Sequence, residues 1–124
     1  MSKAMVVDDS RTIRIILTKM LSELGLDVCQ AGDGKEALKV AEREKGAFSV
    51  IMADWNMPEM NGLELVKRLR SDPRLASVPI VMITTETETR QVMAALEAGA
   101  NEYVMKPFSR DIIADKLRLL GVIA

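Results

Sequence analysis

Five short apolar segments alternate along the chain with longer amphipathic ones. The apolar segments lie at about residues 4–7, 26–31, 49–53, 78–83 and 102–105, and Val, Ile, Met and Ala dominate them. Apolar runs of this length without polar alternation are typical of strands that are covered on both faces. We therefore predict five buried β-strands.

The amphipathic segments between the strands have apolar residues at helical spacing. The longest stripe, spaced i, i+3, i+4, i+7, i+8 and i+11, consists of Ile13, Ile16, Leu17, Met20, Leu21 and Leu24. Gly25 and Gly99 are placed to end helices, and Ser109 is placed to cap the last one. Alternating strands and helices require right-handed crossovers and a parallel sheet with helices on both faces. We predict a single α/β domain over residues 1–124.

Composition narrows the class of protein. With 17 Lys and Arg against 18 Asp and Glu, the chain lacks the basic field that holds nucleic acid. Cys29 is the only cysteine, so no internal disulfide forms, and we expect it to be a buried strand residue in a reducing cytoplasm. No apolar stretch is long enough to span a membrane, and the N-terminus lacks a signal-peptide core.

Acidic residues stand at the ends of two predicted strands. Asp8 and Asp9 follow the first strand, and Asp54 follows the third. Ligands bind at the carboxyl ends of parallel strands, where the winding direction of the chain reverses, so we expect these three carboxylates to lie together. Each pair about 4 Å apart repels by roughly 4 kcal/mol at an effective dielectric of about 20. Such a cluster needs a hard cation, and Mg²⁺ is the first choice because the ligands are all oxygens.

Two more strand ends add polar groups to this edge of the sheet. Thr84 and Thr85 close the fourth strand, and Lys106 closes the fifth. Carboxylates, a hydroxyl and an ammonium group suit phosphoryl transfer, in which a carboxylate attacks while metal and lysine neutralise phosphoryl oxygens. Simpler structural roles stay open: Asp54 as a turn cap, Asp8 and Asp9 as caps of the first helix, and the others as ordinary strand-end residues.

Together these motifs resemble bacterial response-regulator receiver domains over the full length, and most closely the single-domain chemotaxis regulators. The matching stretches are Val6-Val7-Asp8-Asp9, Asp54-Trp55-Asn56-Met57-Pro58, Asn61-Gly62-Leu63-Glu64-Leu65, Met82-Ile83-Thr84 and Tyr103-Val104-Met105-Lys106-Pro107-Phe108. The resemblance implies a flavodoxin-like (βα)5 fold, a doubly wound sandwich whose five-stranded parallel sheet has the order 2-1-3-4-5.

The resemblance also implies a role for each residue of the acidic edge. Asp54 matches the aspartate that accepts the phosphoryl group. Asp8 and Asp9 match the acidic pair that holds Mg²⁺ together with Asp54 and the backbone carbonyl of Asn56. Lys106 matches the lysine that contacts a phosphoryl oxygen, and the peptide bond that follows it matches a cis bond of the family.

Other matching positions concern switching and signal lifetime. Thr84 matches the hydroxyl that moves to a phosphoryl oxygen, and Tyr103 matches the aromatic residue that turns inward on activation. Asn56 and Glu86 occupy loop positions associated with rapid loss of the phosphoryl group. Trp55 is expected to be an exposed loop residue near the metal.

Output is expected through a surface, because the sequence ends after the fifth helix without an effector domain. The resemblance implies the face of helix 4, strand 5 and helix 5, with candidates Gln91, Ala95, Tyr103 and Lys116. Two departures, Ser10 after the acidic pair and the stretch 87–90 where a lysine-rich form is familiar, put motor docking in doubt.

The partners implied are a sensor histidine kinase as phosphodonor, since the chain has no histidine, and the flagellar motor switch protein. A phosphatase is a further candidate partner, and a monomer is expected. The protein is expected to be no enzyme beyond its own phosphorylation and dephosphorylation. Two alternatives remain: a phosphorelay intermediate or phosphate sink, and more remotely a haloacid-dehalogenase-type phosphatase. The latter places a general-acid aspartate where this chain has Asn56.

Overall fold

The computed structural model describes residues 2–85 and 89–124. Within them, five strands alternate with five α-helices, and a short 3-10 helix lies at Pro73–Leu75. The strands are β1 (Lys3–Val7), β2 (Asp27–Ala31), β3 (Val50–Asp54), β4 (Ile80–Thr84) and β5 (Glu102–Met105). The helices are α1 (Arg11–Glu23), α2 (Gly34–Arg43), α3 (Gly62–Arg70), α4 (Thr89–Ala98) and α5 (Arg110–Leu119). Among the residues described, no helix combines the length and apolar character needed to cross a bilayer.

All five strands are parallel, and their order in the sheet is β2-β1-β3-β4-β5. This confirms the flavodoxin-like order that the sequence resemblance implied. The chain moves outward from β1 to β2 and then returns past β1 to β3, so the winding direction reverses between β1 and β3. A cleft opens at the carboxyl ends of strands where such a reversal occurs. The candidate site is therefore placed at the ends of these two strands.

Two apolar layers enclose the sheet, one on each face. Successive strand residues point to opposite faces, so Val6 packs with one layer and Val7 with the other. The layer formed with α1 and α5 includes Leu17, Leu21, Ile113 and Leu117. The layer formed with α2, α3 and α4 includes Ala37, Val40, Leu65, Leu69 and Ala95. The predicted helical stripes supply both layers, which explains why the central strands β1, β3 and β4 lack polar alternation. The prediction of five buried strands is wrong for β2 and β5, which lie at the edges of the sheet and carry exposed and half-buried residues because each has a neighbouring strand on one side only.

The predicted helix ends are also observed. Gly25 and Gly99 have φ angles of 92° and 127°, in the region that favours glycine. The Ser109 hydroxyl oxygen accepts from the backbone N–H of Ile112 at 3.2 Å and caps α5. Cys29 differs from expectation: it lies on β2, an edge strand, and is only half-buried.

At the opposite end of the sheet from the strand carboxyl termini, one arginine joins three segments of the chain. The Arg70 guanidinium, at the end of α3, donates to the carbonyls of Leu75, Val78 and Gly99 and to the side chain of Asn101, at 2.6–3.0 Å. The same Asn101 oxygen accepts from the backbone N–H of Ile80 at 2.8 Å, at the start of β4. Burial disfavours the charged guanidinium and lowers the pKa of Arg70, because its acceptors are all neutral and bring no negative charge to oppose this effect. Arg70 thus holds the segments that lead into β4 and β5.

Candidate active site at the carboxyl ends of the strands

The three acidic residues predicted to lie together do so. β1 pairs with β3 in a register that sets Val7 beside Ala53, so Asp8 and Asp54 follow side by side. One carboxylate oxygen from each of Asp8, Asp9 and Asp54 lies within 4.8 Å of the others. Asp8 and Asp54 are 1% and 4% exposed, whereas Asp9 is exposed to solvent. The group therefore forms a partly open acidic cleft.

The loop after β1 directs Asp8 into this cleft. The Asp8 backbone N–H donates to the carbonyl of Ala31 at 3.1 Å and extends the sheet by one residue. Asp8 Oδ1 accepts from the backbone N–H of Ser10 at 2.8 Å. Ser10 itself caps α1, because its hydroxyl oxygen accepts from the Ile13 N–H at 3.2 Å. The capping role that the sequence left open for the acidic pair thus belongs to Ser10.

Among the residues that the structure describes, Lys106 is the only one whose ammonium group contacts this cleft. Its Nζ lies 3.0 Å from Asp54 Oδ1 and 3.5 Å from Asp8 Oδ2. The backbone N–H of Lys106 donates to the Thr84 carbonyl at 2.7 Å, and the Lys106–Pro107 bond is cis. The strand-end pattern predicted that Lys106 lies with the acids, and the family resemblance implied the cis bond.

Thr84 is the last residue of β4 and is 1% exposed, whereas Thr85 is exposed. The Thr84 hydroxyl donates to the Thr85 carbonyl at 3.2 Å. The strand next to β4 is β3, which ends at Asp54, and Asp54 pairs with Ile83. Of the two threonines considered from the sequence, Thr84 is the one that lies inside the fold next to the acidic cleft.

Trp55 was predicted to be an exposed loop residue, and this prediction is wrong. Trp55 is 5% exposed and packs in the layer beneath α2, α3 and α4. Its backbone N–H donates to the Ile83 carbonyl at 3.1 Å, and its carbonyl accepts from the Gly62 N–H at 2.8 Å. A Cβ at Gly62 would lie 3.0 Å from the Asp54 carbonyl oxygen and from the Trp55 Cα, so glycine fits this close approach of two backbone segments. Asn56, one residue beyond Trp55, is exposed at the rim of the cleft.

The predicted output face is only partly as expected. Tyr103 is half-buried on β5, and the Lys116 ammonium lies 5.6 Å from the centroid of its ring. Lys116 also pairs with Glu102 at 3.2 Å. Gln91 is exposed, but Ala95 is 0% exposed, so Ala95 cannot contact a partner in this conformation. Glu86, the predicted lifetime position, and residues 87 and 88 of the stretch 87–90 lie outside the described residues.

The electrostatics of the cleft raise the pKa of the two buried acids, Asp8 and Asp54, and of Lys106. Burial, together with the charges of Asp8 and Asp9, raises the pKa of Asp54 to about 6 against the opposing effect of Lys106. Burial also raises the pKa of Asp8, although the Ser10 N–H and Lys106 oppose the change. Burial alone would lower the pKa of Lys106, but its hydrogen bond to Asp54 and the nearby negative charges raise it. One ammonium group thus leaves the negative charge of the acids incompletely balanced.

The donor set fits a divalent cation. Asp8 Oδ2 is buried, and apart from the Lys106 ammonium at 3.5 Å, which it shares with Asp54, it has no hydrogen-bond partner. A buried charged oxygen without such a partner is costly, and a cation would remove that cost. The three acids supply oxygens, the ligands that Mg²⁺ prefers.

The metal-free protein is expected to become less stable as pH rises through 6. The folded pKa of Asp54, about 6, exceeds its ordinary value of 3.8, so the folded state holds this proton more tightly than the unfolded chain. The resulting stabilisation is complete below pH 3.8 and is lost as pH rises through about 6. With no histidine in the chain, urea unfolding in chelator between pH 5 and 7.5 should show a loss of about 1 kcal/mol.

Asp54→Asn is the matched control for this pH scan, because it removes the titrating group and keeps the side-chain shape. Its unfolding free energy should change less over the same range, with Asp8 responsible for what remains. Parallel pH profiles for wild type and Asp54→Asn would contradict the assignment.

Sequence reasoning missed one residue that touches this site. Arg14, in the first turn of α1, donates from Nη1 to the Asp8 carbonyl at 2.7 Å. A signal was present in the sequence, because a basic residue in the first turn of a helix is unfavourable unless it has a partner nearby.

Comparisons of the sequence and of the fold with known proteins agree on one family. A scan of protein-family models matches residues 4–118 to the response regulator receiver domain. The chain is 47% identical over 119 residues to the chemotaxis protein CheY1 of Helicobacter pylori, covering 95% of each chain. Its fold matches the chemotaxis protein CheY4 of Vibrio cholerae with a TM-score of 0.89 at 38% identity, covering 97% and 98% of the two chains. A third match, with a TM-score of 0.85 at 27% identity and the same coverage, is the receiver domain of a Pseudomonas aeruginosa sensor histidine kinase with a magnesium ion in its active-site cleft.

Proposed function

The chain belongs to the response regulator receiver domain family, and on this basis we propose that Asp54 accepts a phosphoryl group from a sensor histidine kinase. The observation that carries the proposal is the convergence of Asp8, Asp9 and Asp54 with the Lys106 ammonium at the reversal point of the sheet. The proposed activity is signalling, with catalysis limited to the protein's own phosphorylation and dephosphorylation.

The proposed reaction begins with a nucleophilic carboxylate. With a pKa of about 6, Asp54 is mainly ionised near neutral pH. An Asp54 oxygen attacks the phosphorus of the donor phosphohistidine, and the bond from phosphorus to the imidazole nitrogen breaks. The imidazole leaves with that electron pair and takes a proton, and Asp54 becomes an acyl phosphate. The signal ends by hydrolysis, in which water attacks the phosphorus of the acyl phosphate and regenerates the carboxylate and inorganic phosphate.

Lys106 and a divalent cation share the task of balancing charge. Lys106 Nζ, now 3.0 Å from Asp54 Oδ1, is placed to donate to an oxygen of the incoming phosphoryl group. We propose that Asp8, Asp9, Asp54 and the backbone carbonyl of Asn56 hold Mg²⁺. When bound, the ion would neutralise charge on the phosphoryl oxygens. The magnesium ion in the cleft of the Pseudomonas aeruginosa domain supports this choice of metal.

Thr84 and Tyr103 are proposed to convert phosphorylation into a change of surface. One hydrogen bond from Thr84 to a charged phosphoryl oxygen contributes about 1.5–3 kcal/mol. Moving an equilibrium from about 1:99 to 99:1 needs roughly 5.5 kcal/mol. Thr84 alone is therefore insufficient, and we infer that repacking at Tyr103 and binding of a partner to the active form supply the rest. The half-buried position of Tyr103, with Lys116 near its ring, is compatible with either an inward or an outward side chain.

For output we propose chemotaxis, with the flagellar motor switch protein as target of the face made by α4, β5 and α5. Its support is the similarity to chemotaxis proteins of Helicobacter pylori and Vibrio cholerae. Asn56 and Glu86 are proposed to set a short phosphoryl lifetime. We also propose that the protein acts in the cytoplasm as a single receiver domain and a monomer. The second candidate function is that of a phosphorelay intermediate. It is supported by Ser10 and the stretch 87–90, which depart from the pattern of motor-binding regulators.

Binding to a peptide from a motor switch protein, measured by fluorescence anisotropy, tests the output. The phosphoryl mimic beryllofluoride with Mg²⁺ should tighten binding by about tenfold, a coupling typical of two-site regulation. Asp54→Asn, which lacks the attachment point, should bind equally with and without the mimic. If wild type shows no gain, the relay becomes the better proposal, while phosphoryl acceptance at Asp54 is unaffected.

A further inference from the structure

The first turn of α1 has an unusual charge. It contains Arg11 and Arg14 but no acidic residue, although the positive end of the helix dipole disfavours cations there. Arg14 compensates by reaching out of the helix. Its Nη1 donates to the Asp8 carbonyl at 2.7 Å, and its Nε donates to Gln30 Oε1 on β2 at 3.3 Å. The guanidinium thus connects α1 with the ends of β1 and β2.

The carbonyl that Arg14 binds belongs to the peptide between the two acids. The N–H of Asp8 is already bonded to Ala31 on β2. With its N–H fixed by the sheet and its carbonyl fixed by Arg14, Asp8 has little freedom in either backbone dihedral. The direction in which Asp9 leaves the strand follows from the plane of this peptide.

Asp9 is the member of the acidic group that most needs such support. It is exposed, yet its carboxylate oxygen lies within 4.8 Å of those of Asp8 and Asp54. Mutual repulsion favours an outward movement of the exposed carboxylate, since the other two are buried in the fold. A rigid peptide plane opposes that movement.

The guanidinium itself is held in a defined place. Besides its two hydrogen bonds, it lies close to the loop that follows β2, where a Cβ at Gly32 would be 3.4 Å from Arg14 Nη1. Its planar fork lets it bind the Asp8 carbonyl and Gln30 at once, which a lysine ammonium on a flexible stem does less well.

We propose that Arg14 is a positioning residue that holds the Asp8–Asp9 peptide so that the acidic cleft is preorganised for a divalent cation. The proposal rests on the proposed function, in which that cation is Mg²⁺. Residues that hold metal ligands from behind typically affect metal affinity by about 10–100-fold. Arg14 should therefore act on Mg²⁺ affinity through the backbone.

Isothermal titration of Mg²⁺ into the purified protein tests the inference without reference to phosphorylation. Arg14→Met should weaken Mg²⁺ binding by about tenfold. Arg14→Lys keeps the charge and one donor, and it should recover only part of the affinity. Arg11→Met removes the same charge from the same turn of α1 at an exposed position and should bind Mg²⁺ as wild type does. Circular dichroism and urea unfolding verify that each variant is folded.

The outcomes separate geometry from charge. Equal weakening by Arg14→Met and Arg11→Met, full recovery in Arg14→Lys, or no weakening in Arg14→Met would each overturn the inference. The proposed function fails separately, if wild type cannot be labelled at Asp54 by acetyl phosphate. In that case the titration would still test the role of Arg14, because it measures Mg²⁺ binding and does not depend on phosphorylation.

Discussion

Labelling of the protein by acetyl phosphate is expected to disappear when Asp54 is replaced by Asn. The amide keeps the shape of the side chain but lacks the nucleophilic carboxylate oxygen. Asp54 is the acid that lies 4% exposed at the end of β3, with Lys106 Nζ at 3.0 Å. Intact-mass spectrometry should find one phosphoryl group on wild type in excess Mg²⁺ and none on Asp54→Asn.

Two controls make this result specific. Asp115→Asn changes an exposed acid on α5 and should be labelled as well as wild type. Wild type in excess chelator should lose its label, because the negative charge of the acidic cleft then opposes the approach of a phosphoryl group. A label that remains on Asp54→Asn, or that forms equally in chelator, would contradict the proposed function.

Replacing Arg70 by Met is expected to lower the free energy of unfolding by about 4 kcal/mol. The substitution keeps an apolar stem of similar length but removes the donor of the Val78 and Gly99 carbonyls, whereas the Leu75 carbonyl keeps the Val78 N–H at 3.3 Å. A buried acceptor that loses its partner costs about 1–3 kcal/mol. Two such losses, at Val78 and Gly99, span about 2–6 kcal/mol, and the expected value lies in the middle of that range because water can reach this half-buried position.

Urea unfolding followed by circular dichroism measures this effect, and Arg68→Met on the same helix is the matched control. Arg68 is exposed and pairs with Glu64 one turn away at 3.0 Å. Exposed pairs at this spacing contribute about 0.3–0.5 kcal/mol. Similar losses in the two variants would show that Arg70 does not hold the β4 and β5 segments as inferred.

The strand and helix pattern was readable because each element carries its own local signal. Uninterrupted apolar runs marked the strands, and helical stripes such as that containing Leu17 and Leu21 marked the faces that became buried. The convergence of Asp8 and Asp54 followed from one rule of parallel α/β sheets applied to two strand ends. The order of the strands did not follow from any local signal and came from family resemblance.

Trp55 illustrates where local signals fail. Its position between Asp54 and the Pro-containing loop suggested exposure, yet the sheet continues through its backbone N–H to Ile83 and draws its ring into the core. Ala95 failed in a similar way: it lies on a helix assigned to the output face, but its side chain points into the layer beneath. In both cases the rotation of the backbone at that residue decided burial.

The sequence by itself determined the α/β class, the positions of the five strands, the helix ends at Gly25, Gly99 and Ser109, and the inventory of groups at the strand ends. Only the tertiary structure decided which long polar side chains support that edge and the opposite one. Arg14 meets Gln30 and Arg70 meets Gly99, 16 and 29 residues apart along the chain. Such contacts leave no periodic pattern, because a flexible side chain reaches its acceptors only after distant segments have been packed side by side.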